Sequence, residues 1–330
     1  MPRIRRILVA VKNPSAKNSP AVIKGAQLAR ALNAELILFH AISAPLYVDG
    51  DLTLLGGGLA DVESTTRNTC LERLEAIAQR LRDGIRKVTV SAQWDYPIYE
   101  AVIREATRSG SNLIVAERHT GWHTPRSLLR LTDWELLRLS PVPVLLVKGG
   151  VGAYRRPIVL AAVDPDHSYA KPQRLDRAIL RIGSTVAVAL RGTLHAVHAY
   201  VPISTEVYAH GTTVEDIARM RTRTTRDASK KLQQCTHFVA LPRSRLHVIG
   251  RHPPDAIEQA AVETHCSMVV MGAISRRGLN RFLFGNTAEK VLDHLPCDVL
   301  VVKPAHLVKP LPRARRGVRY VYDPDMYVLK

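Results

Sequence analysis

The chain has 330 residues, 46% of them hydrophobic, which is long enough for two domains with separate cores. Mean hydropathy is close to zero and no apolar run reaches the length of a membrane span, so we expect a cytoplasmic protein without a transmembrane helix. The formal net charge of +18 favours anionic partners, but only 5% of residues are aromatic, so nucleic acid is the less favoured partner because base stacking needs aromatic rings.

The first half of the chain alternates short apolar runs with stretches of helical periodicity. Near-continuous apolar runs are typical of buried parallel strands, whereas apolar residues three and four apart indicate helices. The predicted strands are ILVAV, AELILFH, VTVSAQW, LIVA and VPVLLV. The predicted helices are Ser19 to Leu32, Ser64 to Leu81, Ile98 to Thr107 and Thr132 to Leu139.

The second half repeats the first. Residues Ser111 to Lys148 align without a gap on Cys266 to Lys303, and Ile7 to Val11 aligns on Val159 to Val163. The strands predicted in this copy are IVLAAV, TLHAVHA, LHVIG, MVVMG and DVLVV.

Five strands with intervening helices in each copy predict the α/β class, as two tandem open five-stranded parallel sheets of Rossmann-like topology. We expect one domain over residues 1–150, a second over 151–308 and a basic C-terminal extension over 309–330. In such sheets a ligand binds at the carboxyl ends of the strands, near the point where the strand order reverses. A site should therefore follow the first, second and fourth strands of a copy.

The second copy has phosphate-binding chemistry at that position. Gly272 ends its fourth predicted strand, and Gly285 precedes a predicted helix. Glycine lets a backbone approach a phosphate closely, and a helix amino terminus presents unpaired N–H groups to an anion. Arg276 on the intervening loop adds a charged donor, and Asp164, directly after the first strand, is suited to a ribose hydroxyl or an adenine amine.

These residues resemble the universal stress protein family, whose fold is that of the adenine nucleotide alpha hydrolases. Nucleotide-binding members carry Gly-x-x-Gly, nine residues, then Gly followed by Ser or Thr, with an Asp after the first strand. This chain keeps the spacing but has Ser275 for the second glycine and Asn286 for the hydroxyl residue. The segments TDWELLRLSPVPVLLVK, WDYPIYEAVI and GNTAEKVLDHLPCDVLVVKP resemble the E-type tandem members in particular.

The resemblance implies a site for ATP or a related nucleotide in the second copy. Asp164 and Ala199 would face the base and ribose, and the phosphates would be held by Gly272, Ser275, Gly285, Asn286 and Thr287. A purely structural role for this loop stays open, because Asn286 with Glu289 three residues later is also typical of a helix start.

The first copy has lost these residues. Glu117 aligns with Gly272 and Lys12 with Asp164, so we expect no nucleotide there. The capping box predicted at Thr132 to Glu135 indicates that the following helix survives.

The residues show no catalytic set, no metal site and no CxxC pair, since the four cysteines are far apart in sequence, and we expect reduced, mostly buried thiols. His40 and His198 end equivalent strands and are interpreted as strand-end hydrogen bonds. A second predicted capping box, Thr212 to Glu215, precedes a helix whose six cations cover several faces and are interpreted as solvated: Arg219, Arg221, Arg223, Arg226, Lys230 and Lys231.

The leading hypothesis is a non-catalytic stress-response protein that binds a nucleotide-like ligand, its halves packed as an internal pseudo-dimer that could dimerise further. The resemblance also implies a role in resistance to DNA damage. Two alternatives stay open: a carrier or sensor of an acyl-bearing anionic metabolite, and a weak ATPase. The ATPase is the less favoured, because no general base is evident.

Overall fold

The computed structural model divides the chain into two compact units. One unit comprises residues 154–307, and the other comprises residues 2–153 together with 308–330. The structure describes residues 3–48, 58–118, 130–150, 152–166, 173–201, 213–272, 295–303 and 311–322.

The first unit contains a parallel sheet of five strands: β1 (Arg6–Ala10), β2 (Glu35–Ile42), β4 (Val88–Trp94), β5 (Leu113–Glu117) and β6 (Val144–Val147). Their order in the sheet is β4-β2-β1-β5-β6. A short strand β3 (Leu46–Val48) follows β2 outside this sheet. Its helices are α1 (Pro20–Leu32), α2 (Gly58–Leu81), α3 (Ile98–Ser109) and α4 (Arg130–Leu139).

The second unit repeats this topology with five strands: β7 (Ile158–Ala162), β8 (Thr193–Ala199), β9 (Leu246–Ile249), β10 (Met268–Gly272) and β11 (Asp298–Val302). Their order is β9-β8-β7-β10-β11, again all parallel. The described helices are α5 (Gln173–Ala189), α6 (Val214–Thr236) and α7 (Pro253–Glu263). The predicted fold class, two tandem five-stranded parallel α/β sheets, is confirmed.

Burial explains why these segments form strands. Every residue of β6 and β11 is buried, and so are the central residues of β1, β5, β7 and β10. The edge strands β4 and β9 are mostly half-buried, as expected where a strand has only one neighbour. Continuous apolar sequence is therefore needed in the sheet centre, where helices cover both faces.

Two predicted capping boxes are wrong. Helix α4 begins at Arg130, so Thr132 lies inside its first turn and cannot be the cap of the predicted box. The cap of α6 is Thr213, one residue later than predicted, and its hydroxyl accepts from the Asp216 N–H at 3.2 Å. The capping box exists at α6 but is formed by Thr213 and Asp216.

The C-terminal segment packs on the first unit. Strand β12 (Tyr320–Tyr322) pairs in parallel with β3, and the Leu46 N–H donates to the Arg319 carbonyl at 2.9 Å. The Tyr320 hydroxyl also bonds to Glu63 of α2. This ribbon is separate from the five-stranded sheet.

A buried ionic cluster joins the same segment to α3. Arg104 donates to both carboxylate oxygens of Asp95, at 2.8 and 2.7 Å, and to Glu100 at 2.9 Å. From the C-terminal segment, Arg316 adds its backbone N–H to Asp95 at 3.0 Å and its guanidinium to Glu100 at 3.0 Å. Burial lowers the pKa of Arg104, but the hydrogen bonds to the two carboxylates outweigh it and leave the pKa raised. Glu100 is thus bonded to two guanidinium groups, and Asp95 to one guanidinium and the Arg316 backbone N–H.

Candidate functional site at the carboxyl ends of β7 and β10

The strand order of the second unit reverses between β7 and β10, which pair side by side. Asp164 follows β7, Gly272 ends β10 and Ala199 ends β8, so these three predicted site residues lie at the carboxyl ends of adjacent strands. This is where a doubly wound sheet places its ligands. The other five predicted residues lie outside the described part of the chain: Ser275, Arg276, Gly285, Asn286 and Thr287.

A buried carboxylate holds the loop that carries Asp164. The Asp164 N–H donates to Asp176 Oδ1 at 3.1 Å, and Asp176 lies in the first turn of α5 with 2% of its surface exposed. The bond fixes the backbone from which the Asp164 side chain projects. Sequence reasoning missed Asp176, although an acidic residue in the first turn of a helix is a recognisable signal.

A second carboxylate of this loop joins α6 and β8. Asp166 pairs with Lys231 of α6, and its Oδ2 lies 3.3 Å from His198 Nε2 at the end of β8. Burial raises the pKa of Asp166, but the Lys231 hydrogen bond and the His198 charge lower it by a larger amount. The pKa of Asp166 therefore lies below its usual value. Asp166 is therefore ionised at neutral pH and ties the loop after β7 to a helix and a neighbouring strand.

The two histidines at equivalent strand ends differ. His40 of the first unit hydrogen-bonds the Val11 carbonyl through Nδ1 at 2.8 Å, which confirms the prediction for that residue. His198 is 1% exposed, and among the described residues neither of its ring nitrogens forms a hydrogen bond. The backbone hydrogen bond of His40 is not repeated at His198, whose Nε2 instead lies 3.3 Å from Asp166 Oδ2.

Gly272 lets β10 approach α5 closely. A Cβ at this position would lie 2.6 Å from Leu175 Cδ2 and 3.2 Å from Ile179 Cδ1, both in α5. The 2.6 Å distance is shorter than any real Cβ contact, so a side chain here would require Leu175 to move or the strand and helix to separate. Gly272 thus has a packing role, and it also leaves the start of α5 uncovered by a side chain from β10.

The equivalent position in the first unit is filled. Glu117 ends β5, and its Oε1 accepts a 2.5 Å hydrogen bond from Ser19, the cap of α1. A carboxylate therefore lies at the amino terminus of α1, where a bound anion would otherwise be stabilised. Lys12 follows β1 at the position equivalent to Asp164, so the first unit has a positive charge where the second unit has a negative one.

Among the described residues, no cluster of three or more His, Cys, Asp or Glu side chains is arranged to hold a metal ion. No helix in the described ranges is long and apolar enough to cross a membrane.

The sequence pattern of the universal stress protein family matches residues 3–148 and again residues 156–303. Universal stress protein E of Photorhabdus laumondii is 25% identical over 328 residues, covering 93% of this chain and 98% of that protein. Universal stress protein E of Escherichia coli K12 is 28% identical over 234 residues, covering 68% and 71%. A putative universal stress protein structure from Pseudomonas aeruginosa UCBPP-PA14 covers 92% of this chain and 94% of its own at 25% identity, with a TM-score of 0.67.

The chain is thus a duplicated, doubly wound parallel α/β protein, and it belongs to the universal stress protein family. A universal stress protein from Archaeoglobus fulgidus has the same fold at 17% identity, with a TM-score of 0.59. Within the family this chain is a tandem, UspE-like protein with a stress-response function.

Proposed function

We propose that the second unit binds an anionic, nucleotide-like ligand such as ATP at the carboxyl ends of β7 and β10. The observation that carries the proposal is the contrast between the two switch points: β10 ends in Gly272, whereas β5 ends in a carboxylate bonded to the start of α1. Asp164 supports it, because its backbone is held by Asp176 at the position where a base or ribose would contact the chain.

The remaining parts of the proposal follow from the family. The role is non-catalytic and cytoplasmic, and it contributes to survival of DNA damage. The tandem repeat favours an internal pseudo-dimer of the two domains. A deletion strain complemented with the wild type or with Asp164→Lys, scored for survival after ultraviolet irradiation, tests whether the role in damage resistance depends on the ligand.

Titration calorimetry with ATP tests the binding site. The test variant is Asp164→Lys, which introduces the residue that the first copy has at this position. It places a cation where the proposed carboxylate contact is made, so we expect at least a tenfold loss of affinity for ATP. The matched control is Lys12→Asp in the first unit, which changes charge at the equivalent position and should leave affinity unchanged. Gly272→Glu is a poorer variant, because the clash with α5 would alter folding as well as binding.

Mass spectrometry of ligand that copurifies with the native protein completes the test. A copurifying nucleotide that is lost from Asp164→Lys supports the proposal. Wild-type protein that binds no ATP and carries an acyl-bearing metabolite would overturn it in favour of a carrier. Steady release of phosphate from ATP by the wild type, lost in Asp164→Lys, would overturn the non-catalytic role.

A further inference from the structure

Four cations of α6 form one solvent-facing row, here called the α6 stripe: Arg219, Arg223, Arg226 and Lys230. They are spaced four, three and four residues apart, which places them on one face of a helix with 3.6 residues per turn. All four are exposed, and the Arg219 side chain is 77% exposed. The sequence interpretation of cations spread over several faces therefore describes only Arg221 and Lys231.

The opposite face of α6 packs on the sheet of its own unit. Ala228 and Leu232 are 4% and 0% exposed, and Lys231 beside them pairs with Asp166. The apolar side of the helix is thus already occupied. The stripe presents charge without an apolar surface that could enter a lipid bilayer.

The stripe is largely free of internal ion pairs. Arg219 lies 3.1 Å from Asp216, which is the one ion pair of the stripe within the described residues. Arg223, Arg226 and Lys230 have no carboxylate partner in that part of the chain. Like charges one turn apart repel each other and destabilise the isolated helix, so their placement is explained better by an external anion than by stability.

The first unit contains a natural counterpart of the stripe. In α2 the equivalent positions, counted from the fully buried Leu74 that matches Leu232, are Asp61, Thr65, Asn68 and Glu72. All four are exposed as well. The two helices arose by duplication and hold the same place in their sheets, so the positive row belongs to the second copy alone and is not a requirement of the fold.

We propose that the α6 stripe binds the phosphate backbone of double-stranded nucleic acid. The stripe extends about 16 Å along the helix axis, which equals the axial rise of about five phosphates of one strand, at 3.4 Å each along the duplex axis. It carries no aromatic side chain, so contacts are to phosphates and recognition is independent of base sequence. A row of fixed cations on a straight helix fits a regular array of phosphates better than it fits a single small anion.

Fluorescence anisotropy with a labelled 30-base-pair DNA duplex, measured over a range of salt concentrations, tests the proposal on the full chain. Four phosphate contacts give a slope of log K against log salt of about −3.6. The stripe variant carries Gln at all four positions: Arg219→Gln, Arg223→Gln, Arg226→Gln and Lys230→Gln. We expect it to lose at least tenfold in affinity at low salt and to reduce the slope by about 3 to 4.

The matched control removes the same charge from exposed cations of the first unit: Arg3→Gln, Arg5→Gln, Arg86→Gln and Lys87→Gln. It should lose less than about threefold, the effect of net charge alone. Circular dichroism of each variant verifies that the helices persist. Equal losses in the stripe variant and the control would overturn the proposal. So would wild-type protein that binds vesicles of anionic phospholipid, or single-stranded DNA, more tightly than the duplex.

Discussion

Removing Arg104 should destabilise the first unit more than any other single substitution in the ionic cluster. The Arg104 side chain is 8% exposed, and its guanidinium makes three hydrogen bonds to Asp95 and Glu100. These two residues are themselves 1% and 6% exposed. Leaving buried carboxylates without their partner costs about 3 to 5 kcal/mol. Arg104→Met retains the packing volume, and Arg316 and the Tyr96 N–H still donate to the carboxylates, so we expect the lower end of that range.

Arg316→Met is the informative comparison. The Arg316 side chain is 51% exposed and Arg104 remains beside Glu100, so solvent screening should hold the cost of this change to about 1 kcal/mol or less. In the double variant Glu100 loses both cations. Its destabilisation should therefore exceed the sum of the single changes, by about 0.5 to 3 kcal/mol for residues in one network.

Urea unfolding followed by tryptophan fluorescence measures the loss of unfolding free energy in the first unit, which contains the ionic cluster. All three tryptophans, Trp94, Trp122 and Trp134, belong to the first copy, so the signal reports that unit alone. The reasoning is refuted if Arg104→Met costs less than 1 kcal/mol, or if Arg316→Met costs as much as Arg104→Met.

Three further predictions concern the second unit. His195 and His247 stack with ring centroids 5.3 Å apart, and burial lowers the pKa of both. The unfolded chain therefore binds more protons below about pH 6.5, so stability should fall as the pH is lowered through that range, by an amount that solvent screening of the partly exposed rings keeps small. Denaturation followed by circular dichroism at pH 5 and 7 measures this, and His247→Gln should reduce the pH dependence. His265 adopts φ 49° at the end of α7, where the first unit has Gly110, so His265→Gly should raise the unfolding free energy by up to about 1 kcal/mol; a lower urea midpoint would contradict this. Gly272→Ala should cost about 1 to 3 kcal/mol through the clash with α5, and an unchanged midpoint would show that β10 and α5 can separate freely.

The ten sheet strands could be predicted because buried parallel strands require unbroken apolar runs, and VTVSAQW, TLHAVHA and MVVMG match β4, β8 and β10 residue for residue. The ribbon of β3 and β12 could not. Each strand has three residues, too few to show a period, and their pairing joins positions 46 and 320. Helix α2 starts at Gly58, six residues before the predicted start at Ser64. The sequence did not indicate these first turns because they are largely exposed and carry no apolar period.

The site was predictable only in part. Asp164 and Gly272 were found because each directly follows or ends an apolar run that marks a strand. The bonds that hold their surroundings, from the Asp164 N–H to Asp176 and from Lys231 to Asp166, depend on how helices pack over the sheet. Neither contact, one from a backbone N–H and one from a lysine, leaves a spacing pattern in a sequence.

The return of the C-terminal segment to the first unit makes the second unit an inserted domain. The first unit is assembled from two separate stretches of chain, residues 2–153 and 308–330, with the second unit between them. A chain cut once near Gly152 would remain one particle under native conditions, because β12 and Arg316 still attach the second fragment to the first. Likewise, a first domain expressed alone needs residues 308–330 rejoined to it, since a chain ending at residue 153 leaves Asp95 and Glu100 with Arg104 as the one described cation beside them.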